Sequence, residues 1–186
     1  MRKLIVSEFV TLDGVMEAPG GGETHPHQGW VIDYLSPEQE RYKLEEVLAA
    51  DTLLIGRVTY EVFAASWPER TGELADQMNT MRKVLVSSTV SDPAWQNTTV
   101  LTGDVVGGVA KLKAKDGGPI LVAGSARLVH TLLDHDLVDE LRLMVFPVSI
   151  GAGLRAFPDT VRKTPWRRVD SQQFPPGPWV DTYHRA

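Results

Sequence analysis

The chain has 186 residues, 42% apolar and 23% charged, with a formal net charge of −5 and no cysteine. This length suits one domain spanning 1–186, the apolar share suits a packed core, and an acidic balance with scattered Lys and Arg offers no field for nucleic acid. Disulfides, thiol nucleophiles and cysteine zinc sites are excluded. No apolar run approaches the ~20 residues of a membrane helix, and Glu8 interrupts "LIVSEFV" too early for a signal sequence, so the expectation is a cytoplasmic protein with no membrane partner.

Leu4 to Val10 reads as a strand, apolar and β-branched, interrupted only by Ser7 and Glu8. The next stretch, "TLDGVMEAPGGGETHPHQGW", carries Asp-Gly, Pro-Gly and a glycine triplet, which predicts a long loop of the kind that serves as a lid or binding segment. In "SPEQERYKLEEVLAA", Ser36 at N-cap, Pro37 at N1 and Gln39 at N3 predict a helix opened by a capping box. Tyr42, Leu44, Val47 and Leu48 form its expected apolar face, with Glu38, Glu40, Arg41 and Glu45 in solvent.

Thr52 to Ile55 follows as a short buried strand, and Gly56 leads into a helix from Arg57 to Ser66. Strands are expected at Lys83 to Ser87 and Thr99 to Leu101, then a helix at Val105 to Lys115. "GGPILVAGSARLVHTLLDHDL" repeats the order of strand, small-residue turn and helix. Strands alternating with helices imply a mostly parallel sheet covered on both faces. Glu140 to Ile150, containing Pro147, reads as a long strand, and Trp166 to Phe174, "PPGP" and Trp179 to His184 as an antiparallel edge hairpin. The apolar "LRLMVFPV" suits either a dimer edge or a buried strand.

Two strand-to-helix corners carry the candidate chemistry, "LLIGRVTYE" and "ILVAGSARL". In an open α/β sheet, ligands bind beyond the carboxyl ends of the strands, where helix N-termini offer free N–H groups and partial positive charge. Gly56 and Gly124 allow an oxygen close to the backbone, Thr59 adds a hydroxyl, and Arg57 adds a permanent cation suited to phosphate. The alternative for Arg57 is an ordinary i,i+4 ion pair with Glu61. Ser87 and Ser88 end a third strand beside these corners. Neither corner is a G-x-G-x-x-G or P-loop motif. His25 and His27 suit solvent better than a metal. His130 and Asp134 suit a surface pair, and Trp30 and Trp67 suit core anchors.

The order of "VTLDGVMEAPGG", "LLIGRVTYEVFAASWP", "KVLVSSTV", "GGPILVAGSARLVHTLL" and "LVDELRLMVFPVSIGAG" resembles the dihydrofolate-reductase-like proteins, in particular the reductase (RibD C-terminal) domain of riboflavin biosynthesis and its stand-alone bacterial relatives. The resemblance implies a three-layer α/β fold, often dimeric, and NADPH as cofactor, with NADH not excluded. It further implies that Gly56, Arg57 and Thr59 meet the cofactor phosphates, Ser87 and Ser88 the 2′-phosphate, and Gly124 and Ser125 the pyrophosphate. Asp13 and Gly14 would lie in the loop beside the nicotinamide, Asp13 as the candidate catalytic group and otherwise as the cap of its Asp-Gly turn. Three departures stand out: no basic residue follows Ser88, Ser125 replaces the second glycine of the family's Gly-Gly turn, and no cysteine remains for a deaminase half. The implied activity is hydride transfer to a small heterocyclic or ribosylated substrate. The alternatives are an inactive nucleotide-binding module on the same fold and a hydrolase acting through Ser125.

Overall fold

The computed structural model describes residues 1–22, 24–159 and 163–186. Eight strands form one sheet: β1 (Leu4–Thr11), β2 (Thr52–Gly56), β3 (Arg82–Val86), β4 (Thr98–Leu101), β5 (Ile120–Val122), β6 (Glu140–Phe146), β7 (Trp166–Gln173) and β8 (Trp179–Arg185). Their spatial order is β4-β3-β2-β5-β1-β6-β8-β7. Every pairing from β4 through β6 is parallel, while β8 runs antiparallel to β6 and to β7. Among the described residues, five α-helices cover the sheet: α1 (Pro37–Ala49), α2 (Arg57–Ser66), α3 (Glu73–Thr80), α4 (Val105–Ala114) and α5 (Ala126–Asp134). Among the described residues, no helix is long and apolar enough to cross a membrane.

The central strands are apolar on both faces because helices lie on both sides. Leu54, Val84, Ile120 and Val122 pack with Val109 and Leu112 of α4 and Leu128, Val129 and Leu132 of α5. Leu53, Ile55, Leu85 and Leu121 pack oppositely, with Val47 of α1, Tyr60 of α2 and Met78 of α3. Each fully buried aliphatic side chain contributes about 1.5–3 kcal/mol relative to exposure.

Four expectations are corrected by the structure. Ser36 Oγ does accept from Gln39 N–H at 3.4 Å, but Gln39 does not complete a capping box; its side-chain amide donates to the carbonyls of Tyr34 and Pro175. Leu48 is 48% exposed, while Val47 is buried as expected, together with Gln39 and Glu46. Strand β6 stops at Phe146, before Pro147, which lacks the N–H needed to continue a ladder; Val148 N–H turns back to the Phe146 carbonyl at 2.8 Å. With β1 on one side and β8 on the other, β6 has no free edge, which rules out its reading as a dimer edge. Helix α3 was not anticipated: it is two turns long and starts at Gly72, with no side-chain cap.

Candidate functional site

Because the pairings from β4 to β6 are parallel, the carboxyl ends of these strands share one edge of the sheet, and the sequence-predicted residues gather there. Residues Gly56 and Val86 are partners in the β2–β3 register, which puts Arg57 and Ser87 one step beyond the same rung. Residues Leu54 and Val122 are partners across β2 and β5, which brings the second corner, Gly124 and Ser125, alongside Gly56.

The two corners interlock. Gly124 and Ser125 both have φ of +69°, a left-handed pair that costs about 1–2 kcal/mol at the serine, which has a Cβ. Ser125 Oγ accepts from Gly56 N–H at 2.9 Å, a bond that offsets part of that cost and ties β5 to the start of α2. A Cβ built on Gly124 would lie 2.8 Å from Thr59 Cγ2, and one on Gly56 3.3 Å from Ser125 Cβ and Oγ. Gly56, Thr59, Gly124 and Ser125 are therefore in mutual contact, and the N-termini of α2 and α5 face the same spot. Gly56 itself has an extended backbone (φ −85°, ψ 162°), so closeness rather than backbone freedom favours glycine there.

Arg57 makes the ion pair with Glu61 at 2.8 Å, both side chains being largely exposed. Ser87 Oγ accepts from the N–H groups of Thr89 and Val90 at 3.2 and 3.0 Å and so shapes the turn after β3, while Ser88 is exposed.

Asp13 joins two loops. Its carboxylate accepts from Thr11 Oγ1 at 2.6 Å, from Gly151 N–H at 2.7 Å and from Ile150 N–H at 3.3 Å. The Thr11 hydroxyl, helped by the Gly151 and Ile150 amides, outweighs the opposing burial cost and holds this carboxyl below its ordinary value. It is an acceptor at neutral pH and no proton donor. Gly14 has φ +81°, and its carbonyl accepts from Ala156 N–H at 2.9 Å. Glu17 takes Leu154 N–H at 2.7 Å, and His25 Nε2 lies 3.1 Å from the Ala152 carbonyl. The long loop is thereby fastened to residues 148–156. Asp13→Asn should keep the fold but cost about 1 kcal/mol from the weakened charge-assisted bonds. Faster amide exchange at Ile150 and Gly151 is the expected sign, and unchanged exchange would refute this role.

Among the described residues, no group of three or more metal-ligating side chains forms, and His25 and His27 stay near the surface. His130 Nε2 sits 2.8 Å from the Arg155 carbonyl, which gives that histidine a loop-holding contact. Trp30 is buried, packs edge-on against Phe146 and donates its indole N–H to the Glu17 carbonyl at 2.8 Å; the core-anchor reading holds. Ser125 Oγ engages a backbone amide, and this bond lends no support to a hydrolase nucleophile.

Sequence reasoning missed two buried polar features. Under α1, Ser7 Oγ meets both Glu46 oxygens and Lys43 Nζ at 2.8–2.9 Å, and Arg142 reaches Glu46 at 3.2 Å and Glu140 at 2.6 Å. Burial opposes the Glu46 charge, but Lys43, then Arg142 and the Ser7 hydroxyl, outweigh it and hold the carboxyl low. The second is Glu8, 3% exposed, whose Oε2 accepts from Gly124 N–H at 2.7 Å. Gly124 thus turns its N–H into the sheet, and what it offers the corner is the absence of a side chain. The only sequence signal for either feature was a polar residue in an apolar strand.

The model of the RibD C-terminal domain matches residues 2–180. The chain belongs to the RibD C-terminal domain family. Two relatives from Bacillus subtilis (strain 168), the uncharacterised proteins YyaP and YwjB, are each 26% identical to this RibD C-terminal domain protein. They align over 98% and 93% of this chain and 95% and 92% of their own lengths. Among solved structures, a Shewanella sp. PV-4 protein described as a riboflavin biosynthesis protein superposes with a TM-score of 0.76 at 21% identity, covering 99% of both chains. Dihydrofolate reductase from Enterococcus faecalis, complexed with NADP(H), gives 0.69 at 17% identity over 98% of this chain and 96% of its own. A Thermotoga maritima diaminohydroxyphosphoribosylaminopyrimidine deaminase/5-amino-6-(5-phosphoribosylamino)uracil reductase gives 0.68 at 15% identity; this chain is fully covered but spans 57% of that longer protein. The fold of this RibD C-terminal domain is therefore dihydrofolate-reductase-like.

Proposed function

We propose that this protein is an NADPH-dependent reductase that transfers hydride to a small heterocyclic substrate. The observation that carries the reading is the interlocked corner at the carboxyl edge of the sheet. Two helix N-termini converge there on a surface kept bare by Gly56 and Gly124, and a side chain on Gly124 would collide with Thr59. Such a surface fits a dinucleotide's phosphates, whose charge the free first-turn N–H groups and helix dipoles complement. The solved relatives bearing NADP(H) or named as reductases share the fold and support the same assignment.

Bound at this edge, NADPH supplies the hydride. The chain supplies position and exclusion of water. The first turn of α5, from Ser125, and the Thr59 hydroxyl would hold the pyrophosphate, and the exposed Ser88 with Arg57 the 2′-phosphate. The loop fastened through Asp13 would close over the nicotinamide end, with Gly14 permitting the close approach. By family, a ribosylaminopyrimidine phosphate of riboflavin synthesis is the substrate class proposed. A cytoplasmic location belongs to the same reading, as does a homodimer using one of the two outer strands, β4 or β7.

The Arg57–Glu61 pair does not stand in the way. An exposed i,i+4 pair is worth about 0.3–0.5 kcal/mol, whereas a charged hydrogen bond to phosphate contributes about 1.5–3 kcal/mol. Arg57 should therefore leave Glu61 when a phosphate arrives. Fluorescence titration with NADPH and NADH tests this: Arg57→Ala should weaken NADPH binding roughly tenfold to a hundredfold, with a smaller effect on NADH. Unchanged NADPH affinity would remove Arg57 from the site. Equal losses for the two would move it from the 2′-phosphate to the pyrophosphate.

A further inference from the structure

Glu8 is a carboxyl group in the middle of the sheet. It occupies β1 between Val6 and Val10 on the same face, beside Leu143 of β6 in register. One oxygen accepts from Gly124 N–H at 2.7 Å, and the other is buried without a hydrogen-bond partner among the described residues. Val10 packs with Ala126 at the start of α5 and with Leu143 and Val145, so the surroundings on this face are apolar. The charged groups acting on Glu8 are Lys43 and Glu46 of α1, which reach it from the other side of the sheet and are already bound to each other and to Ser7. On α5, His130 is engaged by the Arg155 carbonyl.

We infer that Glu8 is a positioning residue that couples anion binding at the β5–α5 corner to a proton: neutral, it supports the corner, and ionised, it opposes a phosphate there. This rests on the phosphate site proposed above. The geometry sets the sign. A helix N-terminus carries the equivalent of about +0.5 charge, and a full negative charge bonded to Gly124, two residues before α5 begins, exceeds and cancels it. With one carboxyl oxygen unpartnered and the other holding a single amide, the ion is poorly compensated in this apolar setting, whereas the acid requires far less. Burial accordingly raises the Glu8 carboxyl well above its ordinary value, against the smaller opposing effects of the Gly124 amide and Lys43.

Two readouts test the coupling. The infrared carbonyl stretch of a protonated carboxyl should be present in the wild-type protein at neutral pH, absent in Glu8→Gln, and lost from the wild type on titration with base. NADPH titrations over the same pH range should show wild-type affinity falling by up to about tenfold per pH unit once Glu8 ionises, as one linked proton requires. Glu8→Gln, which keeps an acceptor for Gly124 and cannot ionise, should show affinity free of that dependence. Should Glu8→Gln fail to fold, the wild-type band and wild-type pH profile still decide, because both must change over the same interval. Absence of the band at neutral pH overturns the proposal, as does a band that titrates while wild-type affinity stays level. Failure of NADPH to bind either form at any pH overturns the cofactor reading and the coupling with it, whereas pH-independent binding overturns the coupling alone.

Discussion

Gly124→Ala should remove most NADPH binding, by a factor on the order of a hundred, and destabilise the protein by about 2–4 kcal/mol. Two costs add at this position. The backbone is left-handed at +69°, which an alanine adopts at a cost of about 1–2 kcal/mol, and the new Cβ would lie 2.8 Å from Thr59 Cγ2 and 3.1 Å from its hydroxyl. Thr59 belongs to the first turn of α2, so relief of the clash must push that helix away from α5 and spread the corner. Chemical denaturation reads the stability, and dinucleotide titration reads the site. Combining Gly124→Ala with Thr59→Ala separates the two costs: the double variant should regain the part due to the collision and keep the part due to the backbone. A single variant with wild-type affinity would show that the corner is not where the phosphates sit.

Lys83→Ala should cost about 3–5 kcal/mol although the residue lies away from the proposed site. Its side chain is fully buried at the start of β3, with Nζ donating to the carbonyls of Asn79 and Met81 at 2.9 Å and of Gln96 at 3.2 Å. It also stands 4.3 Å over the Trp95 ring. Asn79 and Met81 belong to the end of α3, where carbonyls lack helical partners, so Lys83 serves as that helix's cationic cap. Truncation leaves these acceptors unpaired and opens a cavity, and both effects are large in a packed interior.

The same lysine gives a pH signature with a definite sign. Burial lowers its pKa from 10.5 to about 8. Below about 8 the group is charged in both folded and unfolded chains and the folded state bears the full burial cost. Between about 8 and 10.5 the folded state releases its proton first, so this group's contribution to stability rises with pH and levels off above 10.5. The neutral amine keeps two N–H donors for the three carbonyls, so the gain should be at most on the order of 3 kcal/mol, and it should be missing in Lys83→Met. Denaturation midpoints of both proteins across that range provide the measurement, and parallel curves would contradict the assignment.

The strand and helix succession was legible because each signal is local. Val, Ile and Leu runs bounded by turn residues gave β1 to β5, and Ser36-Pro37 gave the start of α1. The α1 surface was read incompletely for a physical reason: nothing in the sequence marked Lys43 and Glu46 for a role, yet they neutralise each other against Ser7 and Arg142, and only the crossing of α1 over β1 and β6 creates that environment. Leu48, one position past Val47, is rotated out to solvent by the same crossing. Likewise, α3 carries too few residues to announce itself, and its cap, Lys83, comes from the following strand.

By itself the sequence determined the parallel α/β class, the family, and the two corners on which the candidate site is built, since glycine, arginine and serine after apolar strands are local facts of chain geometry. The tertiary structure alone decided how those residues are used. The β2–β5 register puts Ser125 Oγ on Gly56 N–H and Thr59 against Gly124, and the β1–β5 pairing puts Glu8 on Gly124 N–H, contacts between residues 69, 65 and more than 100 positions apart. Partners that distant follow from strand order, and strand order is fixed by the burial of both sheet faces together, which no single segment encodes.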